Sequence, residues 1–157
     1  MNLLYSTTPT KPRVRFYEGV EGVKAIFEDT LTSQPKEIVD FTSIDDLVNV
    51  FGAYMKSYTK RRAALRIPLR AIVADTPLAR RYNTEYYRDA DPAAIPDIRF
   101  VPEHAGAFKV EMNIYGNKVA IFSQAKDLIT VIIESEAIVE SERNKFDLLW
   151  NLVGTMK

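Results

Sequence analysis

The chain has 157 residues, 46% of them hydrophobic and 27% charged, which is the composition of one globular domain with its own core and excludes disorder, collagen-like repeats and coiled coils. Its 21 Lys and Arg equal its 21 Asp and Glu, so the overall basic excess of a stand-alone nucleic-acid binder is missing. With no cysteine and one histidine, a disulfide framework, a thiol nucleophile and any thiolate or multi-histidine metal site are excluded.

Residues 1–12, with Pro9 and Pro12, read as an irregular leader, and residues 13–157 as a single α/β domain. Arg13 to Tyr17 alternates polar and apolar as a strand does, with Gly19 closing it. Val20, Val23, Ile26, Phe27 and Leu31 then recur at helical spacing. Residues 36–41 form a second short strand. Ser43, three residues before Asp46, marks a helix start, and Ile44, Leu47, Val48, Phe51, Met55 and Tyr58 trace a long amphipathic helix that ends before Pro68. Leu69–Ala74 is a third strand, followed by a helix from Asp75-Thr76-Pro77 to Tyr87.

Pro92 and Pro96 mark a loop, and Ile98–Val101 is a strand ended by Pro102. Val110, Met112 and Ile114 alternate with polar residues, Gly116-Asn117 supplies a turn, and Val119–Phe122 returns as the second arm of a hairpin. Leu128–Ile133 is almost continuously apolar, the pattern of a central strand covered on both faces. A last helix starts near Glu136, with Phe146, Leu149, Trp150 and Val153 on one face and Gly154 near its end. Alternating strands and helices followed by hairpin-linked strands predict a mixed β-sheet flanked by helices.

No apolar run approaches the roughly 20 residues of a membrane span. The first ten residues lack the basic and long apolar regions of a signal peptide, so the expected location is the cytoplasm, with no membrane partner. The neutral total hides a segregation of charge. Residues 18–46 hold eight acids against Lys24 and Lys36, and residues 60–88 hold eight cations, seven of them Arg, against Asp75 and Glu85. With Tyr82, Tyr86 and Tyr87 interleaved, that basic stretch suits an anion groove or weak single-strand binding. The alternative is that these arginines are solvated or pair with the acidic first third, within one chain or across a dimer.

Phosphate-binding glycine loops and the nucleophile elbow of hydrolases are missing. His104, beside Glu103 in a loop after a strand, is a candidate for ligand contact or acid–base work. The neighbouring acids Asp45/Asp46 and Glu140/Glu142 read as residues favoured by helix dipoles.

Several segments resemble one family. Lys11-Pro-Arg-Val-Arg-Phe-Tyr-Glu-Gly-Val-Glu-Gly-Val, with Ile26 and Glu28-Asp29-Thr30, is similar to the opening of the regulatory domain of TrmB-like transcriptional regulators. Tyr58, Arg62, Ile67, Arg70 and Ile72 fit that family's second helix-to-strand junction, and Ile114-Tyr-Gly-Asn-Lys-Val-Ala-Ile and Phe146-Asp-Leu-Leu-Trp150 its closing hairpin and last helix. The resemblance spans about residues 11–153 and implies half of a phospholipase D-like α/β fold used as a sensor. Active phospholipase D-type enzymes carry H-x-K-x-x-x-x-D on a hairpin, the histidine forming the phosphoenzyme bond. Laid on this hairpin, that pattern puts Phe108, Val110 and Tyr115 at its three positions.

The resemblance thus implies a non-catalytic, effector-sensing and dimerisation domain without cofactor or metal. A homodimer is expected, together with a small effector that is a sugar or an anionic metabolite. DNA would be reached only through a helix-turn-helix domain, which the residues before Arg13 are too few to supply, so the chain is expected to be either one domain of a longer regulator or a short relative. Arg70, Arg99, His104, Tyr115 and Lys118 are the candidate ligand contacts, taken to lie at strand ends or on the hairpin near the degenerate site. Two alternatives accompany them: Tyr115 as a core aromatic of the hairpin, and Arg70 in a structural ion pair with an acid of the first third. The competing functional reading is a structural protein–protein interaction module with no small ligand. An enzyme of unrecognised mechanism is the third.

Overall fold

Each strand of the domain is short and each helix presents one apolar stripe, so neither is stable until sheet and helices cover one another. The computed structural model describes residues 11–105, 108–123 and 127–156, and most of the leader expected over residues 1–12 lies outside them. In chain order the elements are β1 (Arg13–Glu18), α1 (Gly19–Ser33), β2 (Ile38–Thr42), α2 (Ile44–Ala64), β3 (Leu69–Ala74) and α3 (Pro77–Tyr86). A 3-10 turn (Pro92–Ala94), β4 (Asp97–Val101), β5 (Val110–Tyr115), β6 (Lys118–Ser123), β7 (Ile129–Glu134) and α4 (Glu136–Thr155) complete them.

The strands form one mixed seven-stranded sheet in the order β1-β7-β6-β5-β2-β3-β4. β2, β3 and β4 are parallel, because helices return the chain between them, whereas β5, β6, β7 and β1 run antiparallel. Direction reverses between β2 and β5. The expected α/β architecture, a mixed sheet flanked by helices, is therefore the one found.

Strand alternation divides the core into two layers. On one face α1 and α2 bury Val23, Ile26, Phe27, Met55 and Tyr58 over Ile38, Tyr115, Ala120 and Phe122. α3 covers Ala71 and Val73 on the same face with Ala79 and Tyr82. On the other face α4 sets Val139, Phe146 and Trp150 over Val39, Ile72, Ile114 and Val119. Fully burying an aromatic such as Phe146 stabilises by roughly 1.5–3 kcal/mol, and its edge meets Phe41 at a centroid distance of 5.2 Å. No helix among the described residues is long and apolar enough to cross a membrane.

Two expectations need correction. β7 is not central: it lies one strand from the edge, and although Ile132 is buried against α1, Ile129 on the opposite face is 52% exposed because α4 does not reach it. On the same uncovered side Val14 and Phe16 of β1 point to solvent. Within α4, Phe146 and Trp150 are buried, but Leu149 is exposed beside Leu148 and Leu152. Gly154 lies near the end of α4 as expected, and its missing side chain leaves room for the Arg99 guanidinium.

Candidate functional site

Three parallel strands end at the same edge of the sheet, and strand direction reverses beside them, which is where open α/β sheets leave a crevice. β2 runs through Ser43 into α2, β3 runs through Thr76 into α3, and β5 starts from Phe108 and Lys109 at the same edge. The cleft between them holds about 310 Å³ and is lined by Ser43, Asp45, Asp46, Thr76, Glu103 and Lys109, with Ala74 and Phe108 as apolar floor. Phe108 packs on Phe41, 5.8 Å between centroids.

Both helix starts are built by caps. The Ser43 hydroxyl accepts from the Asp46 amide at 3.4 Å, and Thr76 Oγ1 accepts from the Ala79 amide at 3.1 Å while donating to Asp45. Two helix N-termini favour negative charge here, but Asp45, Asp46 and Glu103 already supply it against Lys109 alone. An anionic ligand would add to that excess. Hydroxyls, which donate to carboxylates and accept from Lys109, suit this cleft better.

Of the five candidate ligand contacts, only His104 lies at this end, exposed in the turn beside Glu103. Tyr115 and Lys118 flank the hairpin turn at the opposite end of β5, about 20 Å away for a six-residue strand. They are joined there to α1: Tyr115 Oη donates to Asp29 at 2.7 Å, and Lys118 Nζ meets both Asp29 oxygens at 2.7 and 3.0 Å. Burial first, then Asp29, pushes the Tyr115 hydroxyl well above its ordinary pKa. Arg70, at the start of β3, binds Glu37 through two bonds of 2.6 and 2.9 Å and Asp147 at 3.0 Å, with Phe146 and Trp150 under its guanidinium. Arg99 stacks on Trp150 at 4.1 Å and donates to its carbonyl. The grouping of all five near the degenerate hairpin is thus corrected, because Phe108 and the Gly116 turn sit at opposite ends of one strand.

Charge segregation resolves largely within the chain. Arg61 binds Glu28 and Arg70 binds Glu37, joining the basic middle to the acidic first third, while Arg66, Arg80 and Arg81 pair locally with Asp91, Asp75 and Glu85. The open groove of about 1000 Å³ beside α2 mixes Lys56, Lys60 and Arg88 with Glu85, Asp89 and Asp91.

Sequence reading missed a second polar cluster beneath α2. Asp40 and Thr42 of β2 lie in register with Asn113 and Glu111 of β5 and face the α2 side. Thr42 donates to Glu111 Oε2 at 2.6 Å and Asn113 to Oε1 at 2.9 Å. Arg62, fully buried above them, donates to the Ala94 carbonyl at 2.7 Å, to Tyr87 Oη at 3.1 Å and to the Ile67 carbonyl. Burial, reinforced by the Glu111 carboxylate and opposed by Arg62, raises Asp40 well above the usual carboxylate range. An available signal was the polar-apolar alternation of Ile38–Thr42 and Val110–Tyr115, which puts acids at strand positions that a helix must cover.

No family model matches the chain, and no curated protein matches it in sequence. Solved structures share its fold. TrmBL2, described as an archaeal chromatin protein with a novel mode of DNA binding, superposes with a TM-score of 0.61 at 15% identity, over 95% of this chain and 55% of its own. This chain therefore spans about half the length of TrmBL2. Nuc, a phospholipase D family member from Salmonella typhimurium, matches with a TM-score of 0.53 at 18% identity over 90% of this chain and 95% of Nuc. NucT from Helicobacter pylori gives 0.53 at 8% identity over 90% and 97%. The fold is phospholipase D-like. Laid on this hairpin by spacing alone, the H-x-K-x-x-x-x-D pattern falls on Phe108, Val110 and Tyr115, so it meets none of its three residue types.

Proposed function

We propose that this domain is a non-catalytic sensor that binds a neutral, hydroxyl-rich effector, a sugar in the first instance, in the cleft at the carboxyl ends of β2, β3 and β4. The observation that carries the reading is the cleft itself. It lies at the carboxyl ends of the parallel strands, where open α/β sheets commonly leave a ligand crevice, and is walled by acceptors that match hydroxyl donors. The acid excess argues for a sugar over an anionic metabolite. The likeness to TrmBL2 supports a place beside a DNA-binding segment, with DNA reached through that segment and not through this domain. Binding would act by favouring one arrangement of a homodimer over another.

The test is a thermal-shift titration with glucose, sucrose and glucose 6-phosphate. The reading expects a neutral sugar to raise the melting temperature, and expects the rise to vanish in Asp46→Asn while surviving in Arg70→Ala and Lys118→Ala. Preference for glucose 6-phosphate, or loss of binding in Lys118→Ala, would refute it. The competing reading, an interaction module without ligand, draws on the exposed Leu148, Leu149 and Leu152 of α4. A dimer that dissociates on Leu152→Glu, with no sugar response, would favour it.

A further inference from the structure

One edge of the sheet is bare. β1 is the outermost strand, and among the described residues nothing pairs with its outer side. Five of its six residues are exposed, whereas β4 at the other edge is half-buried from Ile98 to Val101, with Arg80 lying over the Phe100 ring at 4.0 Å. Phe16 is 71% exposed, the highest value among the large apolar side chains of the described residues, and Val14, on the same face, is 49% exposed. A strand edge left open in this way is a template for pairing with another chain.

The ladder between β1 and β7 fixes which backbone groups that edge offers. The Gly19 amide donates to the Leu128 carbonyl at 2.8 Å, on the register that pairs the two strands. Along an antiparallel pair, residues alternate between bonding the partner strand and facing away from it. Counting back from Gly19, Tyr17, Arg15 and Arg13 turn their N–H and C=O groups to β7, while Glu18, Phe16 and Val14 turn theirs out of the sheet. These three outward residues are complementary to themselves. About a two-fold axis through Phe16, perpendicular to the sheet, Phe16 meets Phe16 and Val14 meets Glu18, which makes three pairs of two main-chain bonds each. Such an axis keeps each face of the sheet continuous, so the two Phe16 rings form a cross-strand aromatic pair.

Charge selects the same register. Arg15, paired with Glu134 in its own chain, faces Tyr17 of the other copy. Arg13 faces Gly19 and the first turn of α1 in the other copy, where the Glu21 side chain is 87% exposed. The basic start of each strand thus lies along the acidic end of the other. Moving the axis to Arg15 would set that cation against itself, and moving it to Tyr17 would leave Val14 without a strand partner. We propose that β1 is the contact surface for a second copy of this chain, joined edge to edge about Phe16 into one continuous sheet. The contact gives the homodimer of the sensor reading its interface, but it needs neither the sugar nor the cleft, since three strands separate β1 from β2. A strand edge is narrow, which places the dimer in the weak, reversible class.

The test is sedimentation equilibrium of the whole chain, without sugar, from about 10 µM to about 1 mM. The mass rises from one chain towards two. Phe16→Lys, which sets like charges face to face outside the core, weakens the association at least about tenfold and leaves the urea midpoint of the monomer unchanged. Because the chain has no cysteine, single cysteines read the register. The two copies of residue 16 stand about 5.5 Å apart between Cα atoms, within disulfide range, so Phe16→Cys oxidises to a covalent dimer. Val14→Cys, with its copies about 14 Å apart, forms none alone and one when mixed with Glu18→Cys. A single-chain mass at every concentration overturns the proposal, as does a dimer that Leu152→Glu dissociates and Phe16→Lys does not. Equal crosslinking of Phe16→Cys and Val14→Cys overturns it too. The sugar titration reads the cleft in monomer and dimer alike, so failure of this interface and failure of the sensor reading are told apart.

Discussion

Arg61 and Arg62 are adjacent and chemically identical, yet replacing each by methionine should have very different consequences. Arg62 is fully buried and holds the Ile67 and Ala94 carbonyls and the Tyr87 hydroxyl, tying the end of α2 to the segments after it and before β4. Bonds from a charged donor contribute about 1.5–3 kcal/mol each, and removing one side of a buried ionic network destabilises by about 3–5 kcal/mol. Methionine keeps the alkyl packing but leaves three acceptors unpaired and takes away the cation beside Asp40. We expect Arg62→Met to lose about 4 kcal/mol, a large share of a domain's marginal stability, and about 8–16 °C in melting temperature. Arg61, whose side chain is 41% exposed, pairs with Glu28 at 2.7 Å on the surface, and Arg61→Met should lose less than about 1 kcal/mol. Urea unfolding measures both, the prediction being a lowered midpoint for Arg62→Met with an unchanged slope. A loss below about 1 kcal/mol for Arg62→Met, or equal losses for the pair, would refute the reasoning.

Three further outcomes are expected. Asp40 in the folded protein holds its proton more tightly than in the unfolded chain, so its contribution is full below the unfolded value of 3.8 and declines as pH rises towards the raised folded value; urea midpoints from pH 4 to 8 should fall less in Asp40→Asn than in wild type. Arg66 ends α2 in the left-handed region at φ 54°, and its pair with Asp91 is largely exposed; Arg66→Gly should stabilise by about 0.5–1 kcal/mol in the same assay. Tyr115→Phe removes the bond to Asp29 and should cost about 1 kcal/mol of stability while leaving the sugar affinity of the domain unchanged by calorimetry.

Local chemistry made much of the fold legible. The Ser43 and Thr76 caps, Pro77 at a helix start, and the Gly116 turn are signals in which one side chain decides the backbone, and the elements they announce are present. What periodicity could not show was which neighbour covers a face. Leu128–Ile133 has the composition of a central strand, but its position depends on β1 pairing outside it and on α4 lying chiefly over β4, β5 and β6. The five candidate contacts were grouped together for a related reason. Tyr115 and Lys118 adjoin the hairpin turn in sequence, and only the antiparallel pairing of β5 with β2 reveals that this turn lies at the far end from Phe108. Arg70 conformed to its structural alternative, an ion pair with Glu37 of the acidic first third. Asp45 and Asp46, read as dipole-favoured acids, do begin a helix, but the cleft beside them exists only because α2, α3 and β5 converge.

The central claim is that the ligand site is the cleft at the carboxyl ends of the parallel strands. It is tested most directly by amide chemical-shift mapping of the ¹⁵N-labelled domain titrated with glucose and sucrose. The account predicts saturable shifts confined to residues 43–47, 76–79, 103–104 and 109–110, absent with glucose 6-phosphate at the same concentrations. Shifts centred on residues 115–118 and 70, with the cleft amides unmoved, would contradict it.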